Sequence, residues 1–441
     1  MPEQDSTTSR PEPLSGKHIG SFAYVTIKDR LPGILTKVLD QFSRLASDYH
    51  NNGKPEHAED AKAIVGKLSK MKNEIQTNKP ISKLEDNYTD VSVWNDFIQN
   101  MSCLVEGKDD LQKGWFDVAW LSCECYLYRR ILSALNQSSL HQDFDPFLNQ
   151  KETAFNTSIT AMKTLAQYVL AFLQNMEDTD EKLRMDFDTL LEYCLWGNKC
   201  DLSISAGVQV YKQLKESDQL KTLSEHIISN HTEKLYHYIC KEKPLARVDF
   251  ILDNAGFELY TDLCLAEFLL EKKMCKQIRF HVKDIPWFVS DTSRKDFLWT
   301  IQQCTQSEEE PIRLLGQKWQ KRLDDGTFLI VNKPYWTYGQ DFAEMRKIDP
   351  DLYQYLSESG LLIFKGDLNY RKLLGDRNWP TTTSFDNSLY GFCPAPLVTL
   401  RTLKCDMVVG LCEGKAEELQ AITDQWMINA EYAVVQFCQK L

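Results

Sequence analysis

Asp253 and Asn254 stand side by side directly after the apolar run Val248 to Leu252 and just before a helical pattern that opens at Phe257. A carboxylate and an amide oxygen at a strand end, beside a helix N-terminus, are donors of the kind a hard divalent cation takes. Alone, the pair reads equally well as ordinary turn and cap residues. Asp291 changes the weight of the pair. It follows a second alternating run, Ile278, Phe280 and Val282, and precedes a helical pattern near Ser293, so it is either an N-cap or a third cation oxygen. Consecutive strand ends of one sheet converge, and two aspartates with one asparagine leave coordination positions for phosphate and a nucleophilic water. Glu258 and Asp262, four apart on the helix after Asn254, share a face; Glu258 is placed to align substrate or act as a base, though acidic first-turn residues also follow from the helix dipole.

Two further runs end in polar residues. Leu361 to Phe364 is followed by Lys365, Gly366, Asp367, Leu368, Asn369, Tyr370 and Arg371, which reads as a ligand loop. Gly366 permits close backbone approach, Lys365 and Arg371 bring positive charge for phosphate, and Asp367 and Asn369 suit sugar hydroxyls. A plain strand-turn-helix is the alternative. In the run Leu400 to Lys404, strand alternation puts Thr402 and Lys404 on one face and Arg401 on the other, making Lys404 a phosphate clamp or an edge-strand lysine. Asn198 and Asp201, in the break Trp196 to Asp201, face the same cleft or cap a helix. A nucleophilic aspartate of the DxDx[TV] kind needs an acid two residues on, where this chain has Ala255, so a metal-activated water is expected instead of an aspartyl-phosphate.

Elements must hold these residues together. Residues 1–17 are too poor in apolar side chains to order themselves and read as a flexible tail. From Phe22 to His237 apolar residues recur at three and four, as in Leu35, Val38, Leu39 and Phe42, which predicts helices. Near Arg247 the period changes. Short β-rich runs (VDFIL, IRFHV, TFLIVN, LLIFK, LVTLRTL, MVVGL) alternate with helical stretches, including an amphipathic one from Phe257 to Leu270. The fold class expected is α/β: a three-layer α/β/α domain with a mostly parallel sheet over 241–441, preceded by an all-helical domain over 18–240. In such sheets ligands sit beyond the carboxyl ends of strands, where the four polar clusters lie.

Composition narrows the partners. The chain has 441 residues, 43% of them hydrophobic, enough for two or three domains. With 63 acidic and 51 basic residues its formal charge is −12, and no dense basic run is present, which argues against nucleic acid. Thirteen cysteines include no CxxC pair and are expected as reduced thiols, mostly buried. The N-terminus lacks the apolar core of a signal peptide, and the most apolar helical stretch, Thr164 to Met176, is too short for a bilayer. No membrane association is expected, and the cytoplasm, with the nucleus as a second compartment, is the expected location.

Taken in order, LWGNKCDLS, ILDNAGFEL, VSD, FKGDLNYRKL and RTLK resemble the damage-control phosphatase family, formerly a domain of unknown function, and RTLK matches the RTxK mark of its third subfamily. The resemblance runs from Phe22 to the C-terminus. It implies a divalent cation (manganese, magnesium, cobalt or nickel) held by Asp253, Asn254 and Asp291. It implies substrate contacts from Asp253, Asn254, Asp367, Leu368, Asn369, Tyr370, Arg371 and Lys404, and hydrolysis of sugar phosphates such as fructose 1-phosphate and fructose 6-phosphate, or of damaged phosphometabolites. A rival activity associated with the family is S-adenosylmethionine-dependent carboxyl methylation of a protein substrate, for which Glu258 and Asp291 would hold the cofactor. The single glycine of DNAG supports that reading thinly.

Overall fold

In a computed structural model, residues 10–174, 179–197 and 223–439 are described. The chain divides into two compact units: residues 1–146 with 337–342 and 374–378, and residues 147–336 with 343–373 and 379–441. Sequence periodicity placed a boundary near residue 240. The helices Ile159–Gln174 and Asp180–Trp196 instead belong with the sheet, because their apolar faces are completed by the helix Phe257–Glu271 and share one core with it.

The first unit is helical, as its 3.6-residue period predicts. Leu31–Asn51 and Pro55–Gln76 form an antiparallel pair, with Leu35, Val38, Phe42, Ile64, Leu68 and Met71 buried. Arg129, fully buried on the helix Trp120–Asn136, donates two bonds of 2.9 Å to Asp86 and further bonds of 2.7 and 2.9 Å to Asp90. Two carboxylates satisfying one guanidinium is the condition under which a buried charge is tolerated.

The second unit is the α/β/α domain. Among the described residues its strands are β1 (Ile227–Asn230), β2 (Val248–Ile251), β3 (Ile278–Val282), β4 (Phe328–Asn332), β5 (Leu361–Lys365), β6 (Leu397–Thr402) and β7 (Ala433–Cys438). They lie in the order β1-β7-β6-β5-β2-β3-β4. All neighbours are parallel except β6 with β7. β2, β5 and β6 are buried at every position, as strands covered on both faces must be, and Phe250, Phe280, Phe297 and Phe328 join in edge and tilted contacts over β2 and β3.

Three expectations about elements are corrected. MVVGL is not a strand: Val409 N–H donates to the Tyr370 hydroxyl (3.2 Å), Gln436 Nε2 donates to the Val409 carbonyl (2.7 Å), and the Gly410 and Leu411 N–H groups go to Thr383 and Thr381. Side chains and a loop take the bonds a ladder would use. β1 and β7 were not expected. The helix Phe257–Glu271 is not amphipathic; every residue from Phe257 to Leu270 is buried, because the helices Ile159–Gln174 and Asp180–Trp196 pack against it.

Candidate active site

Strand order reverses between β2 and β5. From β2 the chain proceeds outward through β3 to β4, then returns to the other side of β2 to place β5 and next β6. Crevices for ligands open at this kind of switch point, beyond the carboxyl ends of the strands. Asp253 and Asn254 follow β2, Gly366 and Asp367 follow β5, and Arg401 to Lys404 close β6.

The approach of β2 to β5 is tight. Gly366 has φ of +80°, and a Cβ there would stand 1.8 Å from Asp253 Oδ2. Only glycine admits both the backbone conformation and the carboxylate. Asp291 reaches the same place by a different route. It lies beyond β3 after a loop in which Phe288 and Val289 take φ of +43° and +71°. Two consecutive left-handed residues, one of them β-branched, are a costly geometry held by the surrounding bonds. Those bonds are Ala255 N–H to the Ser290 carbonyl (2.8 Å) and Thr292 N–H to the Asp253 carbonyl (2.7 Å), which align Asn254 with Asp291 as an isolated antiparallel bridge.

Neither aspartate is a helix cap. The cap of Phe257–Glu271 is Gly256, with no side-chain bond, and the cap of Arg294–Thr305 is Ser293, in a reciprocal capping box with Asp296. Asp253 is 8% exposed and Asp291 2%. Burial, then repulsion from Glu258 and Asp291, push the Asp253 carboxyl well above the usual carboxylate range, against Lys283 and Lys404. Burial also raises Asp291, while Lys283 pulls it back and Glu258 adds to the rise.

These donors fit a hard divalent cation, which would relieve the crowding of charge that raises both carboxyls. Among the described residues no group of three or more His, Cys, Asp or Glu side chains is placed to hold a metal ion by itself. Two carboxylates and an amide are an open set that water and substrate would complete. The Asn254 amide nitrogen donates to Asp253 Oδ2 (2.8 Å) and Glu258 Oε2 (2.7 Å), while its oxygen accepts from the Ser290 hydroxyl. A flip of that amide turns its oxygen toward the carboxylates.

The predicted ligand loop is a helix, Gly366–Leu374, which starts as β5 ends. This reassigns its side chains. Asp367 Oδ1 accepts from Arg401 Nε at 2.7 Å and the Lys404 N–H at 3.3 Å, and although burial opposes it, Arg401 and Arg371 draw its carboxyl below the usual range. Asn369 donates its amide to the carbonyls of Ile251, Leu252 and Lys365, splinting the β2 and β5 ends. Tyr370 is buried, its hydroxyl bonded to Gln436 and Val409; Leu368 is buried and Arg371 is 4% exposed. Lys365 turns away from the expected phosphate role: its ammonium lies 2.9 Å from Asp262 and 3.3 Å from Glu258 and donates to the Cys194 carbonyl. Lys404 is half-buried and lies past the strand, β6 ending at Thr402, yet its charge acts on both Asp253 and Asp367.

Sequence reading missed Lys283, whose ammonium bonds the Leu252 carbonyl (2.6 Å) and pairs with Asp291 (3.0 Å). Its signal was a lysine directly after an alternating strand. It also missed the Asp367 to Arg401 pair, which needs the β5–β6 neighbourhood to be visible. Gly197 ends the described part of the LWGNK segment, and a Cβ there would come within 3.2 Å of Glu258 Cα. Asn198 and Asp201 lie outside the described residues.

A doubly wound sheet with buried carboxylates beyond its switch point is an arrangement in which α/β proteins bind ligands. A family-wide sequence pattern, the damage-control phosphatase ARMT1-like domain, matches residues 26–419. Damage-control phosphatase ARMT1 of Danio rerio is 43% identical over 435 residues, covering 97% of each chain. The proteins of that name from Rattus norvegicus and Homo sapiens are 42% and 41% identical, each over 97% of this chain and 98% of the relative. The chain belongs to the damage-control phosphatase ARMT1-like family.

Proposed function

We propose that this chain is a divalent-cation-dependent phosphatase acting in metabolite repair, and that its substrates are small phosphate monoesters, either sugar phosphates such as fructose 1-phosphate and fructose 6-phosphate or damaged phosphometabolites. The family supports the activity and the cation. The observation that carries the site assignment is the charge pattern at the switch point: Asp253 and Asp291 are buried with raised carboxyls, while Lys404 acts on Asp253 and Asp367 together.

In this reading Asp253, Asn254 and Asp291 hold the cation, which when bound supplies Lewis acidity toward the phosphate and an acidified water. Lys283 orients Asp291. Lys404 and the first-turn N–H groups of the helix Gly366–Leu374 bind the phosphate oxygens and stabilise the charge that develops on them. Asp367, held by Arg401, is aimed at substrate hydroxyls. Leu368, Asn369, Tyr370 and Arg371 form the wall that keeps this helix start in register with β2 and β6. The cation is manganese, magnesium, cobalt or nickel, and the working location is the cytoplasm and nucleus.

The test is a phosphate-release screen over sugar phosphates with each metal, with Asp253→Ala, Asp291→Ala and Lys404→Ala alongside and a methyl-transfer assay with S-adenosylmethionine on the same preparation. The aspartate variants should lose turnover by at least about 10²-fold with an unchanged fold, and Lys404→Ala should raise KM more than it lowers kcat. Full turnover in both aspartate variants, or methyl transfer lost with Glu258→Gln while phosphate release is absent throughout, would refute the assignment.

A further inference from the structure

Cys393 and Cys438 are 45 residues apart in the chain, yet their sulfurs are 3.6 Å apart. Cys438 is the last residue of β7 and is buried at 2% exposure; Cys393 is half-buried in the segment that leads into β6. The antiparallel register pairs Leu397 with Cys438, so Cys393 lies just upstream of the first paired residue, where the chain is no longer held by the ladder. The Cys393 thiol also faces the Ala395 carbonyl at 3.4 Å. The sulfurs are therefore in van der Waals contact, with one partner rigid on a strand and the other on an irregular segment. A disulfide needs about 2.05 Å between sulfurs, so the pair is about 1.5 Å from bonding distance.

We propose that Cys393 and Cys438 are a reversible redox pair, oxidised by a hydroperoxide to a disulfide that staples the entry of β6 to the exit of β7. The roles of the two sulfurs differ. The bond with Cys393, then burial, then Asp386 keep the Cys438 thiol protonated, far above the ordinary thiol range. Cys393, the more exposed sulfur, is the nucleophile. Its thiolate attacks the peroxide oxygen, the O–O bond breaks, hydroxide leaves and a sulfenic acid forms. The Cys438 sulfur then attacks Cys393, its proton leaves with the departing hydroxyl as water, and the S–S bond closes. Two electrons pass from the two sulfurs to the peroxide, and a dithiol reverses the step. The staple sits at the end of β6 opposite Arg401 to Lys404, so it acts on the stability of the β6–β7 pair and leaves the strand-end site alone.

The full chain is treated with hydrogen peroxide at a few equivalents, blocked with N-ethylmaleimide, digested and analysed by mass spectrometry, and the same samples are melted before and after dithiothreitol. The expected result is a Cys393–Cys438 cross-linked peptide, a rise in Tm of about 5 °C that dithiothreitol reverses, and unchanged phosphate release. Cys393→Ser should abolish both the cross-link and the rise, whereas Cys412→Ser, which removes an exposed thiol, should keep both. Over-oxidation of Cys393 without a cross-link, cross-links that run to Cys412 instead, or a Cys393–Cys438 bond that leaves Tm unmoved would each overturn the proposal. Cys393→Ser changes a half-buried position, so the test does not depend on a variant at the buried Cys438.

Discussion

Gly366 decides how close β2 and β5 come where it matters. Gly366→Ala introduces a Cβ at 1.8 Å from Asp253 Oδ2 and places alanine at φ +80°, a conformation costing about 1–2 kcal/mol. Asp253 must move, and a shift of about 1 Å at a reacting centre is worth about 10²-fold in rate. Loss of turnover on that scale is expected with a modest fall in Tm, and a Gly366→Ala enzyme with wild-type turnover would show that Asp253 does not need its present position. Asp262 gives a second test at this scale. Burial first, and Glu258 after it, push its carboxyl up to about 7 despite Lys365. A raised folded-state value means that the folded protein holds the proton more tightly than the unfolded chain. Its contribution is therefore present below the unfolded carboxylate value and is lost as pH rises from about 4 through about 7. Asp262→Asn should flatten that part of the stability profile by up to about 4 kcal/mol, read from denaturant midpoints across this range. Parallel profiles for the two proteins would contradict the assignment.

The helix Phe257–Glu271 behaves as an internal beam. It is buried on all sides, so Glu258 and Asp262 face the protein interior together and meet one ammonium, that of Lys365 at the end of β5. Glu258 in turn accepts from Asn254. Lys365 thus ties β5, this helix and the β2 end into one frame, and it acts on chemistry only through what it holds in place. Lys365→Met removes the cation that pairs with two buried carboxylates and should cost about 3–5 kcal/mol, as breaking a buried ionic cluster from one side does. Combining it with Glu258→Gln and Asp262→Asn removes the uncompensated charge and should recover a large part of that loss. A triple variant no more stable than Lys365→Met alone would place the effect in packing instead of charge.

At the scale of the molecule, a cation that binds the folded protein and not the unfolded chain raises stability by mass action. Saturation at a hundred times Kd is worth about 2.7 kcal/mol. Chelation should therefore lower Tm as well as abolish phosphate release, and re-addition should restore both. Asp253→Ala should erase the Tm response to manganese and magnesium if, as proposed, its carboxylate is a ligand of the ion. A metal response of Tm that persists in Asp253→Ala would put the cation elsewhere. No described helix is long and apolar enough to cross a membrane. Of the twelve described cysteines eight are buried, in line with the mostly buried set expected from the sequence.

Local pattern was enough for the α/β class, for five of the seven described strands, for the family and for the polar clusters after β2, β3, β5 and β6, because apolar periodicity, short polar turns and motif order are properties of neighbours in sequence. The grouping of those clusters followed from one rule about parallel sheets, that strand ends converge. What lay beyond the sequence was set by strand order and by what covers each face. Asn369 and Lys365 have the same residue types as ligand contacts, and only the adjacency of β2 to β5 and of Phe257–Glu271 to both turns them into splints. β1 escaped notice as a run of four residues, too short to show a period, and β7 runs antiparallel to β6, outside the parallel strand-turn-helix pattern that found the others. Lys283 is the clearest instance. Its residue type after a strand suggests a solvated charge, and only the strained turn that carries Asp291 back to Asn254 makes it the counter-charge of a buried carboxylate.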